Sequence, residues 1–264
     1  MPAKGSNRAT NRVWQAATLP FALDLDGVVW LADQPIPGAA DAVARLRAAG
    51  EDVVFVTNNS SQPVAEVEAK LARHEIPATG DVFTSAMAVV TLIAPGERVL
   101  VCAGPGVVEE LEAAGAVPVR DGDADAVVVG FHLDFDYERL RIASRAVRRG
   151  ARLLATNADS SYPTPDGPIP GGGAILAAVV AATDAEPVVA GKPFAPMADL
   201  VRRRLGPSGV MVGDRADTDG LFATTLGYRF ALVHTGVTPA GVPVEPVPDL
   251  VARDLATLVR DLGC

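Results

Sequence analysis

Short apolar runs rich in β-branched residues alternate along this chain with alanine-rich amphipathic segments. The apolar runs predict strands at residues 21–25, 52–57, 98–103, 126–129, 152–155, 187–190, 209–212 and 229–233. The amphipathic segments predict helices at residues 38–49, 63–74, 107–114, 137–149, 173–182, 197–205 and 220–226. Strands that alternate with helices are typical of parallel sheets covered on both faces, so the pattern predicts an α/β fold.

The predicted strands are too many for one small sheet, and turn-rich stretches at residues 132–136 and 160–173 interrupt the middle third of the chain. We therefore predict a doubly wound, Rossmann-like core made of residues 18–82 and 187–264. A second α/β domain, residues 83–186, would be inserted between these two segments. Residues 1–17 contain no continuous apolar segment, and we interpret them as a flexible tail.

Composition narrows the range of partners. The chain has 264 residues, of which 49% are hydrophobic, and a formal net charge of −9. An acidic surface argues against nucleic acid or an anionic membrane as the main partner. It remains compatible with a small anionic substrate, because a bound cation and one lysine can reverse the local sign. Two cysteines and no apolar run of the ~18 residues that span a bilayer predict a cytoplasmic protein.

The first candidate for chemistry is the pair Asp24 and Asp26, which directly follows a predicted strand and precedes Gly27. Residues i and i+2 of a strand point the same way, so both carboxylates converge at the carboxyl end of the strand, where open α/β sheets bind ligands. Two such close acids need a proton or a cation between them. One could then bind Mg²⁺ and attack phosphorus while the other carries a proton. The alternative is a solvated turn after a strand.

The second candidate is the segment Thr57, Asn58, Asn59 and Ser60 after the next predicted strand. A hydroxyl group and free backbone N–H groups at a strand end are suited to binding phosphate oxygens. The alternative is a capping segment in which Asn59, Ser60 or Ser61 caps the following helix.

Two further strand ends carry charged residues. Lys192, between Gly191 and Pro193, follows one strand and could neutralise a nucleophilic carboxylate and an incoming phosphoryl group. The alternative for Lys192 is an exposed surface lysine. Asp214 follows another strand and Asp219 lies about one helical turn later, and their carboxylate oxygens are the ligands that Mg²⁺ prefers. The alternative here is capping of the next helix.

Together, four predicted strands end in a nucleophile, a phosphate-binding segment, a cation and a metal ligand, which is the set that phosphoryl transfer requires. The order Asp24-x-Asp26-Gly, Thr57-Asn-Asn-Ser, Gly-Lys192-Pro and Gly-Asp214-x4-Asp219 resembles the haloacid dehalogenase (HAD) superfamily. It is most similar to subfamily IIA, the 4-nitrophenylphosphatase-like sugar and nucleotide phosphatases. Further similarities lie at residues 35–39, 156–159, 163–164, 170–171 and 235–237.

The resemblance implies a function and a role for each matching residue. Asp24 is the nucleophile and a Mg²⁺ ligand, and Asp26 is the general acid and base whose main-chain carbonyl also binds the metal. Asp214 is the third protein ligand of Mg²⁺, and Asp219 supports the metal's water shell. The remaining members bind the phosphoryl group or balance its charge, and they are Thr57, Asn58, Asn59 and Lys192. The insert corresponds to the family's α/β cap, which covers the site.

The expected activity is hydrolysis of a small phosphomonoester: a sugar phosphate, glycerol phosphate, phosphoglycolate or nucleotide monophosphate. Asn157 and Asp159 are candidate cap residues facing the substrate, with a polar turn as the alternative. Three residues depart from the family pattern: Ala32 replaces an expected glycine, His132 an aspartate and Gly172 an asparagine. Dimers that pair through their caps are common among such proteins, so the resemblance raises a homodimer as an expectation.

Other functions compete with the phosphatase hypothesis. A signalling phospho-acceptor also uses an aspartate, Mg²⁺, a hydroxyl residue and a lysine, but it needs neither Asp26 nor a cap. A phosphotransferase or mutase uses the same motifs, and the sequence does not separate the two reactions. A non-catalytic descendant of the fold conflicts with the complete set of motifs. The three histidines lack zinc-site spacing, and a Gly-x4-Gly-Lys-Ser/Thr loop is absent.

Overall fold

The computed structural model describes residues 19–162, 164 and 166–264, so the predicted tail lies outside the described residues. Contact density divides the described chain into two compact units. One combines the described residues up to Val54 with Leu205–Cys264, and the other is Phe55–Arg204. These units are defined by contact density, whereas the sequence analysis predicted an inserted segment. The predicted limits of the core and of the insert, residues 83–186, therefore stay a prediction. No helix within the described residues has the length and apolarity that a membrane crossing requires.

The elements alternate along most of the chain, as the hydrophobic pattern predicts. The strands are β1 Phe21–Leu23, β2 Trp30–Leu31, β3 Gln34–Pro35, β4 Val53–Thr57, β5 Val82–Thr84, β6 Arg98–Cys102, β7 Val117–Val119, β8 Ala126–Val129, β9 Arg152–Ala155, β10 Ser161–Tyr162, β11 Ile169–Pro170, β12 Val188–Val189, β13 Val210–Gly213, β14 Arg229–Val233 and β15 Leu250–Ala252. The α-helices are α1 Ala39–Ala48, α2 Val64–Arg73, α3 Ser85–Val90, α4 Pro105–Ala113, α5 Tyr137–Arg148, α6 Gly172–Thr183, α7 Ala195–Leu205, α8 Leu221–Leu226 and α9 Leu255–Leu262. A π-helical turn at Ala216–Gly220 precedes α8.

One sheet has six strands in the order β15-β14-β13-β1-β4-β5. Strand β13 pairs in parallel with both β1 and β14, and β14 pairs in parallel with β15. All residues of β4 are buried, in keeping with a parallel strand that lacks a solvent-facing side. The predicted parallel α/β architecture is confirmed.

A second sheet has five strands in the order β12-β9-β8-β6-β7, and all of its pairings are parallel. Its inner strands pack against α5 and α6 around a buried apolar cluster that includes Leu100, Val127, Leu153 and Val179. Strand β12, which we predicted within the core segment, pairs with β9 at the edge of this sheet. The loops after β8, β9 and β12 therefore emerge at one edge, because parallel strands share the position of their carboxyl ends.

Several elements escaped the sequence analysis. Strands β5 and β15 have three residues each, which is too short for a clear hydrophobic period. Helix α9 was also not predicted, although its N-cap residue has a recognisable chemistry: the Asp254 carboxylate accepts a hydrogen bond from the Thr257 N–H at 2.7 Å.

The departure at Ala32 has a conformational meaning. Ala32 has a φ of 53°, in the left-handed region where glycine avoids a steric penalty. This left-handed backbone conformation explains why a glycine is expected at position 32. The alanine costs about 1 kcal/mol relative to an unstrained residue.

Candidate active site

Three buried carboxylates meet at the carboxyl edge of the six-stranded sheet. Asp24 follows β1, Asp214 follows β13 and Asp219 lies in the π-helical turn. One ligand oxygen from each residue lies within 4.8 Å of the others, and the three residues are 8%, 2% and 0% exposed. Three close negative charges with little water around them repel each other strongly. The donor set is all carboxylate oxygen, so it fits a hard divalent cation such as Mg²⁺.

Backbone positions around Asp214 leave it no room to move. The Val237 N–H donates a hydrogen bond to Asp214 Oδ2 at 2.5 Å, and the Thr235 hydroxyl donates to the Gly27 carbonyl. A Cβ atom at Gly236 would lie 1.9 Å from Asp214 Oδ2, and one at Gly27 would lie 2.6 Å from the same atom. Glycine at both positions is therefore required for this placement of the carboxylate.

We expect the Gly236→Ala variant to displace Asp214 because its new methyl group overlaps the carboxylate. Loss of support around a metal ligand typically weakens metal affinity on the order of 10- to 100-fold. The measurement is Mg²⁺ affinity by isothermal titration calorimetry, and the variant's curve should shift to higher concentration by about that factor.

Gly241→Ala is the matched control, because a Cβ atom at Gly241 meets nothing within 4 Å. Gly241 has a φ of 81°, so this control bears the backbone strain of alanine without the clash. Equal Mg²⁺ affinity in the two variants would show that the close approach of Gly236 to Asp214 is unimportant.

Asp26 lies next to this cluster in sequence, and its side chain has a different environment. The Trp30 indole Nε1–H donates a hydrogen bond to Asp26 Oδ1 at 3.1 Å. Gly27, with a φ of 83°, turns the backbone sharply after Asp26. Asp26 is partly exposed, whereas Asp24 is buried, so the two carboxyl groups of the motif are held in different surroundings.

In the unit of residues 55–204, Asn58 connects three loops through its side chain and main chain. Its Nδ2 donates to Asp159 Oδ2 at 2.9 Å and to the Lys192 carbonyl at 3.0 Å. Its Oδ1 accepts a hydrogen bond from the Lys192 N–H at 2.8 Å. Its main-chain carbonyl accepts bonds from Ser85 Oγ at 2.6 Å and from Asn157 Nδ2 at 2.8 Å. The loops after β4, β9 and β12 are thereby fixed to one another.

The other members of the second motif make short local contacts. Thr57 Oγ1 accepts a hydrogen bond from the Asn59 N–H at 3.0 Å, and Asn59 Oδ1 accepts from both the N–H and the hydroxyl of Ser61. Ser60 Oγ donates to Thr156 Oγ1 at 3.0 Å. Asn59 thus closes a local turn and does not cap α2, whose N-cap residue is Pro63 without a side-chain capping bond, so the helix-capping alternative is wrong for this residue.

Lys192 is 2% exposed, so the alternative of a surface lysine is wrong. A buried ammonium group is stable only when negative charge or hydrogen-bond acceptors compensate it. Its main chain is held on both sides by Asn58. A Cβ atom at Gly191 would lie 2.3 Å from the Thr156 carbonyl, so glycine permits this approach of the two loops.

Asn157 and Asp159 lie in the loop after β9. Asn157 is 4% exposed, and its Oδ1 accepts a hydrogen bond from the Asp159 N–H at 3.1 Å. A Cβ atom at Gly172 would lie 2.9 Å from Asn157 Oδ1, so the glycine leaves space for this amide. Both residues support the position of Asn58. A direct role toward the substrate stays a prediction.

A cysteine nucleophile is not supported. Burial raises the pKa of the Cys102 thiol to about 11, and Cys102 is 2% exposed. A buried thiol with such a pKa remains protonated near neutral pH and reacts poorly. The carboxylates are the stronger candidates for covalent chemistry.

Comparison with known proteins agrees with this chemistry. A family model described as haloacid dehalogenase-like hydrolase matches residues 21–117, and a related HAD-hydrolase-like model matches residues 189–258. A D-glycerol 3-phosphate phosphatase of Mycobacterium tuberculosis is 39% identical over 90% of this chain and 70% of its own length. The chain belongs to the haloacid dehalogenase-like hydrolases.

Other members of this hydrolase family are similarly related. A 5'-nucleotidase of Bacillus subtilis is 36% identical over 83% of the hydrolase chain and 88% of its own length. A crystal structure of a glycerol phosphate phosphatase from Mycobacterium tuberculosis in complex with magnesium has a TM-score of 0.84 at 35% identity. It covers 93% of the hydrolase chain and 76% of its own chain. The predicted family is confirmed, and the protein is an enzyme of the phosphatase type.

Several residues of the hydrolase site were assigned no role from the sequence. Trp30 contacts Asp26, Ser85 contacts Asn58, and Gly236 makes room for Asp214. The sequence analysis noted residues 235–237 only as a similarity to the family. Their position shortly after β14, which pairs with β13, could have indicated that they lie near Asp214. Ser85 gave no signal, since its contact depends on the neighbouring strand β5 that was not predicted.

Proposed function

We propose that this hydrolase is a Mg²⁺-dependent phosphatase that cleaves small phosphomonoesters through an aspartyl phosphate on Asp24. The observation that carries the proposal is the buried cluster of Asp24, Asp214 and Asp219 at the carboxyl edge of the sheet. Such a cluster supplies a nucleophilic carboxylate and a hard oxygen donor set in one place.

Three residues would hold the metal: the carboxylates of Asp24 and Asp214 and the main-chain carbonyl of Asp26. Asp219 would support the metal's water ligands. When bound, Mg²⁺ neutralises carboxylate charge and polarises the phosphoryl oxygens, which lowers the barrier to attack by an anionic nucleophile.

In the first step, a carboxylate oxygen of Asp24 attacks phosphorus, and the bond between phosphorus and the ester oxygen breaks. Asp26 gives its proton to the leaving oxygen, which departs as an alcohol. In the second step, Asp26 accepts a proton from water, and that water attacks phosphorus and releases inorganic phosphate with regeneration of Asp24. The Trp30 indole fixes one oxygen of Asp26, which is the support that a proton-transferring carboxyl group needs.

The phosphoryl oxygens would be bound by the Thr57 hydroxyl and by the backbone N–H groups of Asn58 and Asn59. Lys192 would balance the negative charge of Asp24 and the phosphoryl group in the transition state. The hydrogen bonds between Asn58 and Lys192 support this proposal, because they hold the two phosphate-binding elements in a fixed relation.

For the natural substrate we propose a small phosphate ester. One relative is named for its activity on glycerol phosphate and another as a 5'-nucleotidase, so these two classes of ester should be tested as substrates first. Sugar phosphates and phosphoglycolate complete the panel of test substrates. Two free cysteines fit a reducing cytoplasmic location. A homodimer through the cap remains an expectation from the family resemblance.

The proposal is tested by phosphate release from 4-nitrophenyl phosphate and from this panel, with Mg²⁺ and after chelation by EDTA. We expect turnover that needs Mg²⁺ and one ester class with a kcat/KM at least about 10-fold above the others. Equal turnover in EDTA would contradict the metal requirement. Stoichiometric phosphoryl uptake without release would favour the acceptor function instead.

A further inference from the structure

A cavity of about 420 Å³ lies along α5 and the end of α6, and the proposed reaction does not use it. Its volume is within the range of small-molecule sites in proteins, roughly 300–1,000 Å³. The described residues that line it all lie within 137–149 or at position 182. The loops that contain Asn58, Asn157 and Lys192 contribute nothing to this wall, so the cavity does not share residues with the proposed phosphate-binding elements.

Arginine dominates the wall of this α5 cavity, although the chain as a whole has a net charge of −9. Among the described residues, neither an acidic residue nor a lysine lines the cavity. The arginines are Arg141, Arg145, Arg148 and Arg149, and all four residues are exposed. Their guanidinium groups are therefore accessible to a ligand. Each guanidinium group is a planar fork that can bind two phosphate oxygens at once.

Two of these arginines are paired with carboxylates outside the cavity wall. Arg141 Nε donates a hydrogen bond to Glu138 Oε2 at 2.7 Å, and Arg149 Nη1 donates to Asp123 Oδ1 at 3.1 Å. Both pairs are well exposed to solvent, so they neutralise the guanidinium charges only weakly.

Arg145 and Arg148 have no carboxylate partner among the described residues. Arg148 donates from Nε at 3.1 Å and from Nη2 at 2.5 Å to the Ala182 carbonyl, a neutral group that fixes the direction of the guanidinium. Arg145 forms neither a hydrogen bond nor an ion pair within the part of the chain that the structure describes. The cavity thus offers two positive charges without a negative partner. One of them is already oriented, which reduces the entropy cost of binding an anion.

The arginines of α5 also repel one another. Arg145 lies four residues from both Arg141 and Arg149, and like charges at this spacing destabilise a helix. The partial negative charge at a helix C-terminus offsets part of this cost, and α1 likewise has Arg45 and Arg47 in its last turn. On α5 the charges line a cavity, where an anion bound between them would relieve the repulsion.

An aromatic ring lies at the other end of the same cavity. Tyr137 begins α5 and is 80% exposed. It precedes Arg145 by eight residues, which corresponds to about 12 Å along the helix axis. An exposed tyrosine ring offers a face on which an aromatic ligand can stack. The wall therefore fits an elongated ligand with a ring at one end and anionic groups at the other.

We propose that the α5 cavity binds a nucleoside polyphosphate, with the phosphate groups on Arg145 and Arg148 and the base on Tyr137. The ligand binds there without chemical change. Inorganic polyphosphate has the same anionic groups but lacks the ring, so a comparison of the two ligands isolates the contribution of the base.

The test is isothermal titration calorimetry with ATP and with inorganic tripolyphosphate, in buffer freed of divalent metal by a chelating resin. Without metal, the proposed phosphatase reaction does not consume the nucleotide. We expect ATP to bind at least about 5-fold more tightly than tripolyphosphate, because only ATP has a ring to stack on Tyr137. Tyr137→Ala should remove this difference and leave the affinity for tripolyphosphate unchanged.

Arg145→Gln should weaken the binding of both probes by about 10-fold or more, because the variant lacks a charged donor. Its melting temperature should be unchanged, since Arg145 is exposed. Arg45→Gln is the matched control, because Arg45 is also an exposed arginine in the last turn of a helix and lies outside the cavity. Its affinities should equal those of the unmodified protein.

Several results would overturn the proposal. Absence of ATP binding at millimolar concentration would mean that the cavity takes no ligand of this class. Unchanged binding by Arg145→Gln, or an equal loss in Arg45→Gln, would remove the cavity arginine from the interaction. Equal affinity for ATP and tripolyphosphate would remove the base. Loss of ATP binding in Lys192→Met, with full binding by Arg145→Gln, would place the nucleotide at the proposed phosphate-binding residues instead.

Discussion

Replacement of Asp24 by asparagine should reduce phosphate release from 4-nitrophenyl phosphate by on the order of 10⁴-fold or more, since the amide is not a nucleophile toward phosphorus. Asparagine keeps the shape of the side chain. It also keeps an oxygen that can accept the hydrogen bond which the Leu25 N–H donates to Asp24 Oδ1, at 2.8 Å in the unmodified protein. It also removes one negative charge from the buried cluster with Asp214 and Asp219, so the fold should be retained or stabilised.

The measurement is steady-state turnover combined with acid quenching after brief exposure to a substrate carrying radioactive phosphate. The unmodified protein should trap an acid-stable protein-bound phosphoryl group, and Asp24→Asn should trap none. Asp41→Asn, an exposed carboxylate in the first turn of α1, is the matched control and should behave like the parent. Trapping of label in Asp24→Asn would assign the nucleophile to another residue.

Replacement of Lys192 by methionine should lower kcat by on the order of 10²- to 10³-fold, because it removes a fixed cation that we propose to act on transition-state charge. Methionine has a similar length and suits a buried position, and Lys192 is 2% exposed. The hydrogen bonds between Lys192 and Asn58 use only the lysine main chain, so they persist in the variant.

Kinetics of Lys192→Met should be compared with those of Lys70→Met, whose lysine lies in the last turn of α2. A melting curve for each variant separates lost catalysis from lost folding. Weaker inhibition by vanadate in Lys192→Met would link the lysine to the phosphoryl group. A kcat within twofold of the parent would mean that Lys192 has a structural role only.

The hydrophobic pattern was sufficient to bring the predicted carboxylates together, because two of them follow strand ends. Asp24 and Asp214 directly follow strands that are continuous apolar runs, and such runs can be recognised within a few residues of sequence. Parallel strands place their carboxyl ends at one edge, so local patterns were enough to bring the two residues together. The predicted strand ends therefore translated into the observed cluster with Asp219.

Contacts between distant segments could not be predicted in the same way. Asn58 bonds Asp159 and Lys192, which lie 101 and 134 positions away in the sequence. Asn58 is followed in the sequence by Asn59 and Ser60, which form turns equally well. The sequence therefore does not show that Asn58 has distant hydrogen-bond partners, which only the tertiary fold brings near it. His132 Nε2 is of the same kind, since its burial and its lack of a hydrogen-bond partner among the described residues are properties of the packed structure.

The hydrogen bonds of Asn58 also bear on how this enzyme can change its substrate range. Asn58 Nδ2 donates to both the Asp159 carboxylate and the Lys192 carbonyl, so a substitution at Asp159 reaches the proposed phosphate-binding residues through a single amide. Effects of substitutions at residues in one network do not add. With the roles proposed for these residues, a substitution in the loop after β9 that admits a new alcohol would therefore also change how tightly the enzyme binds the phosphoryl group common to all substrates. Changes in substrate selectivity and changes in kcat are therefore expected to occur together.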